Sequence, residues 1–406
     1  MFIRLRGFSA LCISGAFAAH LCAAAGSAQA EPLSQYLVSA PGGVSDLHLR
    51  AAAGAVLRVD ARYPNVGSRL VSTTAAGAAA LAADPQVSAV APNRTVALQQ
   101  VKVRALKLKR QEVPTGVARV GGPLSSAASG DGVGAVDVDV AVLDSGIDPQ
   151  HPDLHVVGGV DCTGSGSWAD AFGHGTHVAG IVGALDNRQG VVGVAPGARL
   201  WSVRVLDSAG TGSVASIMCG LDWVVGASNI LEVANLSLQG PGSSSCADGL
   251  LGAAVCRAVD AGVVVVAAAG NGATDVAGVS PASVPVAITV SALADTDGRA
   301  GGLGPLSCTG AVDDRLMPIS NVGTGVDLVA PGDCITSTWP GGYEVASGTS
   351  MAAPHVAGAA ALMRSRQPWL TPPEVERQLL LTGSADWDSV GDPDGEHEPL
   401  VQVAGL

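Results

Sequence analysis

Short apolar strands alternate with helical patterns in the larger, C-terminal part of the chain, and this alternation limits the fold most. Beyond Asp137 the sequence predicts strands at residues 139–143, 200–206, 233–238, 263–269 and 286–292. It predicts helices between and after them, at residues 175–185, 214–225, 247–261, 349–366 and 372–381. Apolar strands separated by helices are typical of a parallel sheet covered on both faces. We therefore predict an α/β domain with three layers, α/β/α, around a mostly parallel central sheet.

A smaller region with mixed patterns precedes this domain. Residues 36–39 predict a strand, residues 75–83 a helix and residues 87–96 a second strand, which together indicate a small α+β unit. Residues 102–110 are basic and end in a dibasic pair. Two interpretations of this run stay open. It is either a solvated linker or a cleavable junction between a pro-segment and a mature protein.

The first 30 residues have the pattern of an export signal. Arg4 and Arg6 precede an apolar run over residues 8–25, and the small residues Ala28 and Ala30 follow. This order is typical of a cleavable signal peptide. The alternative is a membrane anchor, for which the run is short. We expect cleavage, secretion to the extracellular space and no membrane association after the signal is removed.

Six cysteines stay in the chain once Cys12 and Cys22 leave with the signal. An even number of cysteines in an exported chain favours disulfides, although sequence leaves their connectivity open. Joining neighbours would give the pairs Cys246–Cys256 and Cys308–Cys334 and leave Cys162–Cys219.

Composition and charge exclude two classes of protein. Hydrophobic residues make up 48% of the chain and charged residues 14%, which is the opposite of a disordered composition. The formal net charge is −13. Nucleic acid is therefore not an expected partner, because binding to phosphate requires a basic surface.

Three short motifs place polar residues where predicted strands end or predicted helices begin. Asp144 follows an apolar strand, and the carboxyl ends of parallel strands are where sites form. His174 lies between two glycines, and Ser350 follows Gly348-Thr349, each at the start of a predicted helix. Alone, each residue is ordinarily a turn, loop or capping residue. Together they supply the hydroxyl, base and acid that nucleophilic acyl transfer requires, in the order Asp, His, Ser of one class of serine proteases.

These motifs resemble the catalytic blocks of the subtilisin-like serine proteases, and the pattern is similar in particular to the proteinase K branch. The resemblance runs from about residue 111 to about residue 381. It implies the subtilisin-like fold, with Asp144 orienting the imidazole of His174. His174 is then the general base and later the acid, and Ser350 attacks the scissile carbonyl.

The same resemblance implies residues that bind the substrate. Asn271 matches the oxyanion-hole residue. Ser237, Leu238 and Gln239 match an edge segment that pairs with an extended substrate, although the family usually has glycine where this chain has Gln239. Residues 280–283 match one wall of the main side-chain pocket, and the opposite wall matches Ala268, Ala269 and Gly270. Both walls are small and uncharged, so we expect a broad or apolar preference.

A structural calcium ion is a further implication of the resemblance. Pro285 and Ala287 match positions that supply backbone carbonyls, and Asp327 matches a position that supplies a carboxylate. Calcium takes such oxygen ligands. The alternative is a turn at the edge of the sheet and an unrelated surface aspartate.

The predicted organisation is a signal peptide over residues 1–30, a pro-segment with its basic linker over residues 31–110 and a catalytic domain over residues 111–406. Residues 84–87 and the strand after them resemble the pro-segments that assist folding of such proteases and then inhibit them. We expect a secreted serine endopeptidase made as a monomeric zymogen, acting on proteins or peptides without a catalytic cofactor. The competing hypothesis is a catalytically silent secreted binding protein of the same fold.

Overall fold

An eight-stranded sheet forms the centre of the C-terminal part of the protein. The computed structural model describes residues 31–40, 44–54, 56–98, 104–242, 244–247, 249–390 and 392–406. The predicted signal peptide, residues 1–30, lies outside the described residues. Residues Leu33–Leu406 form one compact unit.

The N-terminal region forms a four-stranded antiparallel sheet in the order β2-β3-β1-β4, with two helices. A fifth strand, β5, follows it outside that sheet. The elements are β1 Ser34–Ser39, α1 Asp46–Ala52, β2 Leu57–Tyr63, β3 Ser68–Thr73, α2 Ala75–Ala82, β4 Ala89–Pro92 and β5 Thr95–Ala97.

The rest of the chain alternates strands and helices. Its first half contains β6 Arg104–Leu106, α3 Thr115–Arg119, β7 Asp139–Asp144, β8 Val156–Asp161, α4 His174–Gly183, β9 Arg199–Arg204, β10 Thr211–Ser213, α5 Val214–Gly226, β11 Val233–Leu236 and β12 Gly240–Pro241. Its second half contains α6 Leu250–Asp260, β13 Val264–Ala268, β14 Val279–Ser280, β15 Ile288–Ala294, β16 Arg315–Leu316, β17 Leu328–Pro331, β18 Ile335–Trp339, β19 Gly342–Ala346, α7 Thr349–Arg366 and α8 Pro372–Thr382.

The central sheet has the order β16-β15-β13-β11-β7-β9-β8, and β17 also pairs with β15. Every pairing in it is parallel except that of β16. The sheet is therefore mostly parallel, as predicted. Because β7, β11 and β13 are neighbours, their carboxyl ends meet at one edge of the sheet.

Alternate side chains of each strand enter two different cores. On β7, Val140 and Val142 pack with residues of α4 and α7, whereas Ala141 and Leu143 pack with residues of α5 and α6. Helices therefore cover both faces of the sheet, which is the α/β/α arrangement predicted from the apolar strands.

The N-terminal sheet packs on the outer side of α5 and α6. Leu37, Tyr63 and Val66 belong to the same apolar cluster as the buried residues of those two helices. The backbone N–H groups of Asn65 and Val66 both donate to Asp222 Oδ1 on α5, at 2.6 and 3.0 Å. Apolar packing and hydrogen bonds thus fix the N-terminal region on this face.

Two parts of the N-terminal prediction need correction. The single strand expected over residues 87–96 is two strands, β4 and β5, because the chain between them bonds to the start of α5: Val214 N donates to the carbonyl of Arg94, and Ala215 N donates to Oδ1 of Asn93. The basic run expected to be a connector contributes β6, which pairs with β19. The sequence analysis also missed α1, β2 and β3, although β2 alternates apolar and polar residues as a half-buried strand does.

Three disulfides join Cys162 to Cys219, Cys246 to Cys256 and Cys308 to Cys334. These are the pairs that joining neighbours gives, and their presence agrees with the expectation from the even cysteine count. In the described ranges, no helix is both long and apolar enough to cross a membrane.

Candidate active site

Asp144 and His174 form the first half of the site. Asp144 is the last residue of β7 and is fully buried, and His174 is the first residue of α4. His174 Nδ1 lies 2.8 Å from Oδ1 and 2.9 Å from Oδ2 of Asp144. A carboxylate in this position holds the proton on Nδ1, so Nε2 is the nitrogen that is free to accept a proton.

Charges around His174 change its basicity. Burial by itself lowers the pKa of His174, but the charge and hydrogen bond of Asp144 and the charge of Asp170 outweigh it and raise the pKa above its usual value. Asp170 also accepts hydrogen bonds from Phe172 N, Gly173 N and Thr176 N at the start of α4. An anion at a helix N-terminus is favourable, so Asp170 fixes the end of the helix that carries His174.

Ser350 and Ser237 form the second half of the site. Ser350 lies in the first turn of α7, and Ser237 follows β11, the strand next to β7. The hydroxyl of Ser350 donates to the carbonyl oxygen of Ser237 at 3.2 Å, and the hydroxyl of Ser237 donates to the carbonyl oxygen of Ser350 at 2.9 Å. The Ser350 hydroxyl is thus held at the same strand ends as the Asp144–His174 pair, with no hydrogen bond to His174 among the described atoms.

Asn271 lies just beyond β13, beside the start of α7. Its Oδ1 accepts hydrogen bonds from the backbone N–H of Thr349 at 2.9 Å and from the hydroxyl of Thr349 at 3.1 Å. Two donors on one atom identify that atom as the oxygen. Nδ2 of Asn271 is therefore the atom that can donate hydrogen bonds to another acceptor next to Ser350.

A glycine precedes the start of each of the two helices that carry His174 and Ser350, and neighbouring atoms leave little room for a Cβ atom at either glycine. Gly173 precedes His174 with φ 114°, and Gly348 precedes Thr349 with φ 140°. A Cβ on Gly173 would lie 2.1 Å from Trp339, and one on Gly348 would lie 3.2 Å from the Asn271 amide. Both positions combine a backbone that favours glycine with a close approach, which explains the glycine in each motif.

The N-terminal strand β5 lies beside the site. It pairs antiparallel with β10, with Ala97 opposite Thr211, and Leu98 N donates to Gly210 O at 2.9 Å. On its other side, Val96 reaches Gly240 of β12. The predicted substrate edge after Ser237 therefore has an extended segment of the same chain next to it.

The residues predicted to form the pocket walls lie at the end of β13 and next to β12. Ala268, Ala269 and Gly270 are buried at the end of β13, and β12 pairs with β14 so that Gly240 is opposite Ser280. The residues after β11 and after β13 thus form two sides of one pocket.

Two other histidines in the same motifs have different surroundings. His177 is fully buried and hydrogen-bonds the carbonyls of Ile335 and Glu344, and burial lowers its pKa to about 3. His355 is also buried and hydrogen-bonds Met351 O, and burial lowers its pKa to about 4. Both side chains are therefore neutral and tied to the backbone.

Known proteins resemble this chain over most of the part that carries the site. The model of the subtilase family, Peptidase_S8, matches residues 136–398. Subtilisin NAT of Bacillus subtilis subsp. natto is 42% identical over 281 residues, which are 68% of this chain and 67% of the relative. Subtilisin Savinase of Lederbergia lenta is 42% identical over 278 residues, 68% of this chain and 93% of the relative.

The chain belongs to the subtilase family.

A solved structure supports the same assignment. The crystal structure of a cold adapted subtilisin-like serine proteinase has a TM-score of 0.57 and 34% sequence identity, covering 72% of this chain and 98% of that chain. The subtilisin-like fold predicted from the motifs is confirmed, and the protein is a serine endopeptidase, a hydrolase of class EC 3.4.21.-. Its placement in the proteinase K branch stays a prediction.

Two of the residues predicted to bind calcium lie at one end of two neighbouring strands. Ala287 precedes β15 and Asp327 precedes β17, which pair in parallel. Asp327 Oδ2 accepts a hydrogen bond from Thr289 N at 2.7 Å, and burial raises the pKa of Asp327 to about 7. The structure shows no ion pair for Asp327 among the described residues. A half-buried carboxylate with no cationic partner among the described residues fits a hard metal ion.

Sequence reasoning missed two residues that support the site of Asp144, His174 and Ser350. Asp170 is four residues before His174, with no regular spacing to mark it. Thr349 lies inside the serine motif, and its hydroxyl also accepts a hydrogen bond from Gly270 N at 3.1 Å. Thr349 thus connects the strand end at Gly270 to the helix that carries Ser350. A polar residue close to a helix start is the signal that the sequence offered for each of them.

Proposed function

We propose that this subtilase cleaves peptide bonds through an acyl-enzyme on Ser350, with Asp144, His174 and Ser350 as its triad. The observation that carries the proposal is the hydrogen bond between His174 Nδ1 and Asp144, because it leaves Nε2 as the proton acceptor. Triads are recognised by such geometry and roles.

The reaction follows from these positions. Ser350 Oγ attacks the carbonyl carbon of the substrate while its proton passes to His174 Nε2. The negative charge that develops on the carbonyl oxygen is stabilised by Asn271 Nδ2 and by the backbone N–H of Ser350 in the unpaired first turn of α7. The C–N bond then breaks as His174 protonates the leaving amine, and water activated by His174 releases the acid.

We propose further that residues 31–110 are a pro-segment that inhibits the enzyme until it is removed. The support is the position of β5 between β10 and β12, beside the Ser237 edge. A strand that pairs there occupies the place where an extended substrate would add to the edge. Asn93 adds a second contact, because its Oδ1 accepts the N–H of Ala215 in the first turn of α5 at 3.0 Å.

The protein is proposed to be secreted as a monomer and to act on protein or peptide substrates with a broad or apolar preference. The basic and apolar pattern of the first 30 residues supports export, and three disulfides fit an oxidising compartment. Calcium held by Asp327 and the carbonyls of Pro285 and Ala287 would stabilise the fold, and no step of the reaction needs it.

Expression of the full chain tests the proposal. The parent should mature and cleave casein, and N-terminal sequencing should place its new N-terminus between the N-terminal region and β7. Ser350→Ala should stay full length or keep the pro-segment bound, because maturation and substrate cleavage use the same nucleophile. A purified Ser350→Ala variant that matures and cleaves casein shows that the assignment is wrong.

A further inference from the structure

The pocket beside Asn271 contains a side chain where glycine is usual in the family. Gln239 follows the Ser237 edge, and its Oε1 accepts the backbone N–H of Asn271 at 3.2 Å. A Cβ added to Gly270 would lie 1.8 Å from this Oε1 and 3.0 Å from the Cδ of Gln239. The carboxamide of Gln239 therefore packs directly on the backbone of Gly270. It extends from the segment after β11 to the segment after β13.

The position of this carboxamide relative to the reaction is fixed by Asn271. The substrate carbonyl that is attacked points at Asn271 Nδ2, so the residue that bears this carbonyl, called P1, lies next to Asn271. The P1 side chain then leaves the backbone beside Gln239, whose Oε1 is bound to Asn271 N. A side chain entering the pocket meets the Gln239 carboxamide first.

Gln239 borders a cavity of limited volume. In the full-length chain, a cavity of about 380 Å³ is lined by Gln239, Gly240, Gly272, Thr274 and Val279, and by residues of β5 in the proposed pro-segment. Gln239 Nε2 has no hydrogen-bond partner among the described residues. The carboxamide is therefore anchored at its oxygen, and its length and position reduce the opening through which a P1 side chain passes.

We propose that Gln239 determines P1 specificity by narrowing this opening, so that the enzyme prefers small P1 side chains such as alanine to aromatic ones such as phenylalanine. This inference rests on the proposed function and deepens it. It refines the broad or apolar preference expected from the small pocket walls, because the carboxamide of Gln239 adds bulk against the backbone of Gly270.

Chromogenic peptide amides that differ only in P1, alanine or phenylalanine, test the inference on the protein matured from the full chain. We expect the parent to favour alanine in kcat/KM. Gln239→Gly should move the ratio of phenylalanine to alanine about 10–100-fold toward phenylalanine, the range expected when a pocket gains space. Gln239→Glu keeps the size and an acceptor oxygen, so it should keep the parental order of preference.

Titration with a serine-directed reagent counts active molecules, so poor folding of a variant does not change the measured ratio. Gln239→Ala gives a second, milder enlargement, and Gln150→Gly removes an exposed glutamine elsewhere as a matched control. The inference is overturned if the parent prefers phenylalanine, or if Gln239→Gly changes both substrates equally, which is the effect of a structural role. A parent that neither hydrolyses peptides nor reacts with the reagent overturns the proposed function instead.

Discussion

The hydroxyl of Ser237 donates a hydrogen bond to the carbonyl oxygen of Ser350, at 2.9 Å. In a regular helix this carbonyl would accept the N–H of residue 354, but Pro354 has none. Ser237 replaces the missing donor, and its own oxygen accepts from Asn235 Nδ2 at 2.8 Å, which orients the hydroxyl. The strand end at Ser237 and the helix start at Ser350 are therefore held together by a bond that the proline makes necessary.

Removing this donor should destabilise the protein. Ser237→Ala leaves the Ser350 carbonyl without a partner, and an unsatisfied buried group costs about 1–3 kcal/mol. Thermal unfolding is measured in the Ser350→Ala background to prevent autolysis. The exposed Ser126→Ala variant is the control and should leave the melting temperature unchanged. Pro354→Ala restores an N–H, so the loss from Ser237→Ala should be smaller in its presence, and equal losses with and without Pro354→Ala contradict the explanation.

Asn271→Ala should lower kcat and leave KM nearly unchanged. Its Nδ2 is proposed to act only on the negative charge that develops during the reaction, which is absent from the bound substrate. Removal of the equivalent donor in subtilisin, a relative, lowers kcat about 10²–10³-fold, and we carry that figure over. Steady-state kinetics with one peptide amide measure both constants. A rise in KM with kcat unchanged would mean that Asn271 binds substrate and does not act on the transition state.

The rate should fall in acid as His174 becomes protonated. Only the neutral imidazole accepts the Ser350 proton, so activity is lost as pH drops through the pKa of His174. Burial lowers this pKa, but the combined effect of Asp144 and Asp170 is larger and raises it. The midpoint of the acid limb should therefore lie above 6.5. Asp170→Asn should move that midpoint to lower pH, and kcat/KM measured against pH gives both values. Activity that is constant down to pH 4 contradicts the role of His174.

Excess chelator should lower the melting temperature of the parent if calcium binds at Asp327. A ligand that binds only the folded state stabilises it by mass action. Asp327→Asn removes the carboxylate charge and should abolish the sensitivity to chelator, and added calcium should restore only the parent. Asp260→Asn, at an exposed aspartate elsewhere, is the control. A parent whose melting temperature is indifferent to chelator rules out a stabilising calcium ion here.

The fold was predictable because its strands are apolar on both sides. Each residue of β7 is buried, so the sequence signal for a doubly covered parallel sheet is strong. The helix over Thr349–Arg366 is predicted with its observed bounds. The N-terminal sheet was harder to predict, because α1 and α2 on one of its faces are only seven and eight residues long, and its other face packs on α5 and α6, which are distant in sequence.

The site was predictable where residue type and chemistry are closely linked. Asp144, His174, Ser350 and Asn271 occur in short motifs, and the structure brings their elements to neighbouring strand ends. Gln239 was visible in the sequence only as a departure from glycine, since the position of its carboxamide over Gly270 depends on two segments that are distant in sequence. The hydrogen bond by which Ser237 replaces the donor missing at Pro354 depends likewise on a tertiary contact, whereas the hydrogen bonds from the start of α4 to Asp170 are local.

Covalent labelling of Ser350 tests the central claim most directly. The matured protein is treated with a serine-directed phosphonylating reagent, digested and analysed by mass spectrometry. We predict a single adduct, on the peptide that contains Ser350, whose formation slows in acid together with kcat/KM. His174→Ala should react far more slowly, although it still carries Ser350. An adduct on another serine, or no adduct in a preparation that cleaves casein, contradicts the assignment of Ser350 as the nucleophile.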